Sequence, residues 1–426
     1  MAEIKGFKAL RFNTQKAGEI SSLTCPPYDI ISEEQRLNFI KTNPYNVIRL
    51  ELPREGENPY QTAGETLKAW EDAGILAQDA QDSLYIYEEE FTAYGSKKSV
   101  KGFVCRVKLE EFEKGVVLPH EETLSKAKAD RFNLMEATNC NFSQIYSLYV
   151  DEDKTTRPLI EKLSQCTPDQ ELTDEGGVIH RLWVVTDPAV IAEIAGGFTS
   201  RKLYIADGHH RYETALNFRN HLRQTAAAKE GAASDYVMML LVDMEHEGLV
   251  VFPTHRLVRD LPSFNPEELY AKSAQYFDIS EADASQIEPT LEKLYNQNKK
   301  AFVLYLGDGK AKLFVLKDIA VLAEKLPKAS KALRELDVTV LHSLVLEEAL
   351  GIDKENMANQ INLTYTRVFE EAIAKVDSGE FQCSFILNPT RVTEIGEVAA
   401  ADEKMPQKST YFYPKIITGM VMNKLV

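Results

Sequence analysis

The sequence predicts a mixed α/β (α+β) chain of more than one domain, on three observations. Short runs of β-branched and aromatic residues alternate with amphipathic helical stretches from end to end. Two pairs of those runs close on turn residues, Ala93-Tyr94-Gly95-Ser96 and Gly307-Asp308-Gly309. At 426 residues the chain exceeds what a single hydrophobic core usually holds. The expected division is an α/β segment over 1–80, a core over 81–260, and a C-terminal α/β domain over 261–426 that ends in a basic, aromatic tail.

The elements follow in order. A strand is expected around Phe7–Arg11, then Cys25-Pro26-Pro27-Tyr28-Asp29, where two prolines fix an extended approach. Ser32 ahead of two acids reads as the N-cap of a helix reaching Ile40. A strand at Asn46–Leu50 precedes a helix over Tyr60–Ala77 with the face Ala63, Leu67, Trp70 and Ile75. Ser83–Val107 reads as a hairpin. A strand at Val116–Leu118 runs into Pro119-His120-Glu121-Glu122, and Ala129–Met135 reads as a helix. Strands at Ser143–Tyr149 and His180–Val185 flank a polar helical segment, and a helix at Pro188–Ala195 leads to Leu203. Tyr236–Met244 and Leu249–His255 are expected to pair across Glu245-His246-Glu247-Gly248. Ala301–Leu306 pairs with Lys310–Leu316 as a second hairpin. Leu336–Leu350 reads as an amphipathic helix, and Ile361–Tyr365 and Ser384–Leu387 read as strands.

Composition narrows the function. A net charge of −16 argues against sequence-independent nucleic-acid binding, which needs a basic face to displace counterions. Five scattered cysteines with no CxxC pair fit unpaired thiols in a reducing compartment. The N-terminus lacks the apolar core of a signal peptide, and no run is long and apolar enough to span a bilayer. A cytoplasmic protein without a membrane partner is expected.

The chemistry gathers at Leu203–Leu216. An apolar strand breaks at Asp207-Gly208 and continues as a helix whose buried face takes Tyr212, Ala215, Leu216 and Leu222. His209, His210 and Arg211 stand at the helix start, where backbone N–H groups and the helix dipole favour an anion. Phosphate is the first ligand expected. The stretch matches neither GxxxxGK[ST] nor GxGxxG, and the plain alternative is a helix start whose Arg211 pairs with a surface acid. His209 and His210 point apart on a helix, so one metal is not expected to take both.

Other clusters are weaker. His120-Glu121-Glu122 at a strand end could supply a general base or be an exposed loop. It is not HExxH, because Leu124 stands where the second His would be. Thr254-His255-Arg256 closes a strand with cationic groups, and Asp29 could cap a helix or bind metal or substrate. Lys408-Ser409-Thr410 and Lys415 form a late donor cluster among Tyr411, Phe412, Tyr413 and Pro414, and that aromatic company argues for packing.

These motifs together resemble a known family. Asp207-Gly208-His209-His210-Arg211-Tyr212-Glu213, the opening Phe7-Lys8-Ala9-Leu10-Arg11-Phe12 with Pro26-Pro27-Tyr28-Asp29, Leu118-Pro119-His120-Glu121, Phe252-Pro253-Thr254-His255-Arg256 and the tail from Met405 to Gly419 are similar to domain-of-unknown-function family 1015, over nearly the whole chain. More distantly, a strand ending in Pro-x-Glu, a following Arg and a later Asp-Gly-His-x-Arg turn resemble the fold shared by ParB proteins, sulfiredoxin and free-serine kinases. That resemblance implies a ParB/sulfiredoxin-like nucleotide-binding core with additional α/β segments at both ends. His209 occupies the place of the sulfiredoxin Cys, and the DNA-binding segments of ParB proteins have no counterpart, so sulfinic-acid repair and DNA segregation are not expected.

What remains is a small-molecule kinase, with free L-serine to O-phosphoserine as the best single expectation. The resemblance implies that Asp207, Gly208, His209, His210 and Arg131 hold the nucleotide phosphates, joined by Arg256 and Lys408. Glu121, with Glu122 beside it, corresponds to the acceptor of the hydroxyl proton; His120 and Arg211 complete the catalytic set. Asp29, His255, Ser409, Thr410 and Lys415 are the expected substrate contacts, and Asp207 or Asp29 the expected Mg²⁺ ligand. The donor is ATP or ADP, the partner a small hydroxylated metabolite, and a homodimer is left open. Two alternatives stand beside this: a nucleotide- or phosphometabolite-binding regulator without catalysis, and a metal-dependent phosphohydrolase built on His120, His209, His210 and His255.

Overall fold

The computed structural model describes all residues except 122, 124, 226, 407 and 426, with the side chains of 125–127 likewise outside the description. Helices and strands are mixed throughout, in the α/β class expected. The chain forms two compact units: Met1–Pro119, Thr123–Val250 and Pro414–Val426 make the first, and His120–Glu122 with Val251–Tyr413 the second.

Unit 1 is organised on a nine-stranded sheet. Its strands are β1 (Ile4–Lys5), β2 (Leu84–Ala93), β3 (Ser96–Lys108), β4 (Val117–Leu118), β5 (Ile145–Tyr149), β6 (Gln170–Thr173), β7 (Ile179–Val185), β8 (Leu203–Asp207) and β9 (Tyr236–Asp243). The order is β4-β8-β5-β9-β3-β2-β7-β6, with β1 beside β3. β9 is buried at every position, which its continuous apolar run requires of a strand covered on both faces. It pairs antiparallel with β3 and parallel with β5. The approach is tight: a Cβ at Gly102 on β3 would lie 2.3 Å from the Leu241 carbonyl oxygen.

Three longer helices pack in series: α1 (Pro59–Asp72), α2 (Ser125–Thr138) and α3 (His209–Gln224), α2 touching both others. Tyr212, Ala215 and Leu216 of α3 are buried with Phe103, Ile145, Ile205 and Met239, as the helical spacing predicts. Ala63, Leu67 and Trp70 of α1 face a second cluster with Leu10, Phe12 and Met422. The chain's last residues return to this unit, where Asn423 and Lys424 pair with Asn141 and Cys140.

Unit 2 carries a six-stranded sheet of β10 (His255–Val258), β11 (Phe277–Ala282), β12 (Ala301–Tyr305), β13 (Ala311–Leu316), β14 (Leu363–Thr366) and β15 (Cys383–Ile386), in the order β11-β13-β12-β15-β10-β14. Its core includes Leu257, Leu291, Val303, Ala372 and Ile386.

Three local expectations fail. Asn46–Leu50 is not a strand: Ile48–Glu51 is a helical turn. The Asn46 side chain accepts from Ile48 N at 2.9 Å and donates to the Ser22 and Thr24 carbonyls, a local competition that Asn wins over a ladder. Leu249–His255 does not return beside β9, because β3 and β5 already occupy both edges. Leu336–Leu350 is α-helical only over Asp337–Leu341 and continues as a π-helical turn at His342–Glu347. The five cysteines are unpaired, with Cys166 exposed and the others buried. Among the described residues no helix is long and apolar enough to cross a membrane.

Candidate functional site

The turn between β8 and α3 is built from the sequence upward. The register of β8 against β5 shifts between Ile205 and Asp207, an irregularity of the kind that re-aims a side chain at a strand end. Gly208 follows at φ +99 in the left-handed region and is the N-cap of the 16-residue helix α3. Without a side chain it cannot cap the helix itself. A Cβ there would come within 2.9 Å of Arg211 Nε and 3.0 Å of Cζ, so the backbone and the guanidinium share space that only Gly leaves open.

Two cations converge on one carboxylate. Arg211 Nη2 donates to Asp207 Oδ2 at 2.6 Å, Lys415 Nζ donates to Asp207 Oδ1, and Arg211 Nη1 donates to the Gln144 carbonyl. Burial pushes the Asp207 carboxyl up, but Lys415 and Arg211 outweigh it and hold the group well below the usual carboxylate range. Two cations meet one carboxylate at a helix N-terminus, whose dipole adds roughly half a positive charge. His209 is buried and His210 half-buried at the same turn.

A polar layer stands beside Arg211. Glu51 is buried and accepts from Ser143 Oγ at 2.9 Å; Arg131 donates to the Glu51 carbonyl at 2.8 Å and to Asp130 Oδ2 at 2.6 Å. The Arg131 guanidinium lies 4.1 Å from the centre of the Tyr28 ring. Burial raises the Glu51 carboxyl, opposed by Arg131, Ser143 and Arg211, with Asp29 adding a small upward push. Burial also pushes the Tyr28 hydroxyl up to about 12, against Arg131 and Arg211. Glu51, Arg131, Ser143, Arg211 and Thr214 line a cavity of about 40 Å³. Unit 1 thus brings together seven expected residues, Asp207, Gly208, His209, His210, Arg211, Arg131 and Lys415, with the exposed Asp29 within electrostatic reach. It adds Tyr28, Glu51 and Gln144, which sequence reasoning missed. Glu51 lies just beyond the expected strand Asn46–Leu50, in a helical turn that composition does not announce, and Gln144 contributes a backbone carbonyl, which leaves no trace in residue type.

The remaining expected residues belong to unit 2. His120 Nε2 and Thr410 Oγ1 are 3.0 Å apart, and Thr410 Oγ1 is 3.5 Å from Glu121 Oε1. Met405 N donates to the His120 carbonyl at 2.7 Å, tying the tail to this strand end. Glu122 lies outside the described residues. Ser409 Oγ donates to the Pro406 carbonyl, and Lys408 offers its own carbonyl to Arg256 at 3.1 Å. His255 and Arg256 are neighbours on β10, both buried, and Leu387 N donates to His255 Nδ1 at 3.3 Å.

The expected metal site finds little support in the donors. Both Asp207 oxygens are engaged by cations, so this carboxylate does not suit Mg²⁺ as a direct ligand. Among the described residues no group of three or more His, Cys, Asp or Glu is placed to hold a metal ion.

Comparison with known proteins gives a family and a set of distant structural likenesses. The family described as "Protein of unknown function (DUF1015)" matches residues 4–339. No curated protein matches the chain. A conserved hypothetical protein from Pyrococcus furiosus is similar at 17% identity and TM-score 0.36, covering 73% of this chain and 93% of that one. A free serine kinase in complex with AMP is similar at 14% identity and TM-score 0.37, covering 73% and 88%. SbnI with a C-terminal truncation, from Staphylococcus aureus, is similar at 12% identity and TM-score 0.36, covering 75% and 86%.

Proposed function

This chain belongs to the DUF1015 family, and we propose that it is a nucleotide-dependent phosphotransferase acting on a small hydroxyl compound, free L-serine being the first substrate to test. The observation that carries the reading is the turn at Gly208, where a helix N-terminus, a residue without a side chain and two cations held on Asp207 coincide. Such a turn suits nucleotide phosphates better than a carboxylate, because their several oxygens and higher charge use both the N–H groups and the cations.

Phosphoryl transfer asks a protein chiefly for positioning and for charge aimed at the oxygens of the transferring group. Arg211, fixed by Asp207 and the Gln144 carbonyl, keeps its guanidinium pre-oriented and spends no reorganisation when the transition state forms. Lys415 adds a second cation on the same carboxylate. Arg131, engaged by Glu51 and Asp130 and stacked on Tyr28, holds the layer behind Arg211 in place. The base for the substrate hydroxyl is assigned to Glu121, by the resemblance of Leu118-Pro119-His120-Glu121 to the kinase motif. Mg²⁺ accompanies the nucleotide in this reading and would neutralise phosphate charge.

The test is direct. Arg211→Ala and Glu121→Gln should each reduce product formation from ATP or ADP and the hydroxyl substrate by about a hundredfold or more. Wild-type rates in both variants would refute the mechanism. Nucleotide binding without any phosphorylated product would favour a regulator instead.

A further inference from the structure

Glu89 of β2 is 1% exposed, and its Oε2 has no hydrogen-bond partner. Its Oε1 lies 3.4 Å from the Tyr87 hydroxyl and 3.6 Å from His180 Nδ1 on β7. Burial raises the Asp174 carboxyl, but His180 and the Val178 N–H outweigh it and leave the group ionised, able only to accept. His180 Nε2, 3.3 Å from Asp174, therefore carries a ring proton. In a neutral imidazole Nδ1 is then the acceptor, and Tyr87 donates to it at 2.7 Å. The hydroxyl proton nearest Glu89 is thus spent on a closer partner.

The same corner of unit 1 is tied to the Gly208 turn. The Ile417 backbone hydrogen-bonds the Tyr87 hydroxyl. Gln144 Nε2 donates to the Ile417 carbonyl at 3.2 Å, and the Gln144 carbonyl accepts from Arg211. Lys415, which donates to Asp207, also acts electrostatically on Glu89. Tyr146, the β5 partner of Asp207, lies in the field of both carboxylates. The titratable groups facing Glu89 are therefore Tyr87, His180, Asp174, Tyr146 and Lys415, while β3 sets the apolar Val100 opposite it. Lys101 and Arg181 pair with Glu88 and Glu90, which alternate to the other face of β2.

We propose that Glu89 is a positioning residue of the Gly208 turn, whose protonation regulates phosphate binding there through Lys415. With its proton, Glu89 leaves Lys415 to Asp207 and to an incoming phosphate. Without it, a second carboxylate competes with the phosphate for the same ammonium, and the phosphate binds more weakly. Linkage makes the effect reciprocal: a bound phosphate draws a proton onto Glu89. Burial raises this carboxyl to about 7, against His180, Tyr87 and Lys415. Glu89 is neutral below that pH and ionised above it, so affinity falls as the pH rises through about 7. The inference rests on the phosphate reading of the Gly208 turn and concerns its regulation.

The experiment is calorimetric titration of the full chain and of Glu89→Gln with ADP at pH 6 and pH 8, in buffers of different ionisation heat. Glu89→Gln fixes the neutral state, and comparison with it cancels the titration of ADP itself. The two chains should bind alike at pH 6, and wild type should bind about fivefold more weakly than the variant at pH 8. At pH 8, where ADP has lost its last phosphate proton, wild type should take up roughly half a proton on binding and the variant none. Equal affinities at pH 8 overturn the inference and leave the phosphate reading standing. So does wild-type binding at pH 8 without proton uptake, whether or not the variant folds. Failure of wild type to bind ADP at either pH refutes the phosphate reading itself, and this inference with it.

Discussion

Gly208→Ala concentrates the account into one methyl group. At φ +99 an L-side chain costs about 1–2 kcal/mol in backbone strain. The new Cβ would also stand 2.9 Å from Arg211 Nε and 3.0 Å from Nη2. The guanidinium must then yield, although it is held at both ends by Asp207 and the Gln144 carbonyl. Surrendering one charge-assisted hydrogen bond adds about 1.5–3 kcal/mol. The sum, about 2.5–5 kcal/mol, corresponds to a fall in Tm of about 5–20 °C for a unit of this size. Displacing Arg211 also removes one aimed cation, so affinity for ATP or ADP should drop about a hundredfold. Thermal unfolding and nucleotide calorimetry read the two effects separately. Gly95→Ala is the control: its φ is also positive, at +70, but nothing lies within 4 Å of the added carbon. It should lose about 1 kcal/mol of stability and no nucleotide affinity. If Gly208→Ala matches wild type in both measurements, the turn is not a constrained cradle.

Two pH-dependent outcomes follow from buried carboxylates. Asp207 has a depressed carboxyl, so its ion pairs stabilise the fold above the unfolded value near pH 4 and are lost as the pH falls through the lower folded value. Asp207→Asn should cost about 3 kcal/mol in urea unfolding at pH 7, and the deficit should narrow steadily below pH 4. Glu89 behaves in the opposite sense. It is buried, with Oε2 unpartnered, and burial raises its carboxyl to about 7 despite His180 at 3.6 Å. The resulting cost is absent below about pH 4.5, grows as the pH rises from there to about 7, and is constant above it. Glu89→Gln should be more stable than wild type at pH 8 by about 3 kcal/mol, and nearly equal to it at pH 4.5.

The site was legible where local rules acted alone. The apolar run of β8, the Asp-Gly break and the helical spacing of Tyr212, Ala215 and Leu216 all act within a few residues, and they predicted β8, the turn and α3. Lys415 was recognised as a donor, but its partner Asp207 is 208 residues away, a pairing no local pattern encodes. Glu51 carries no local signal: it follows Asn46–Leu50, whose composition is strand-like, while the Asn46 amide bends that segment into a turn. Gln144 serves through its carbonyl, so its residue type is irrelevant. The failed pairing at Leu249–His255 has the same root. Its turn signal was sound, but the edges of β9 were already taken by strands distant in sequence. The reach of Lys415 to Glu89 likewise joins distant parts of the chain, which only tertiary structure reveals.

In the proposed function the turn at Gly208 serves phosphoryl transfer. The most direct measurement incubates the purified chain with Mg²⁺, ATP or ADP, and pooled hydroxylated metabolites that include L-serine, and follows all products by mass spectrometry. One phosphorylated hydroxyl compound is expected, formed in step with nucleotide consumption and absent with Arg211→Ala. Nucleotide left intact after prolonged incubation, with no phosphorylated product from any metabolite, would contradict it.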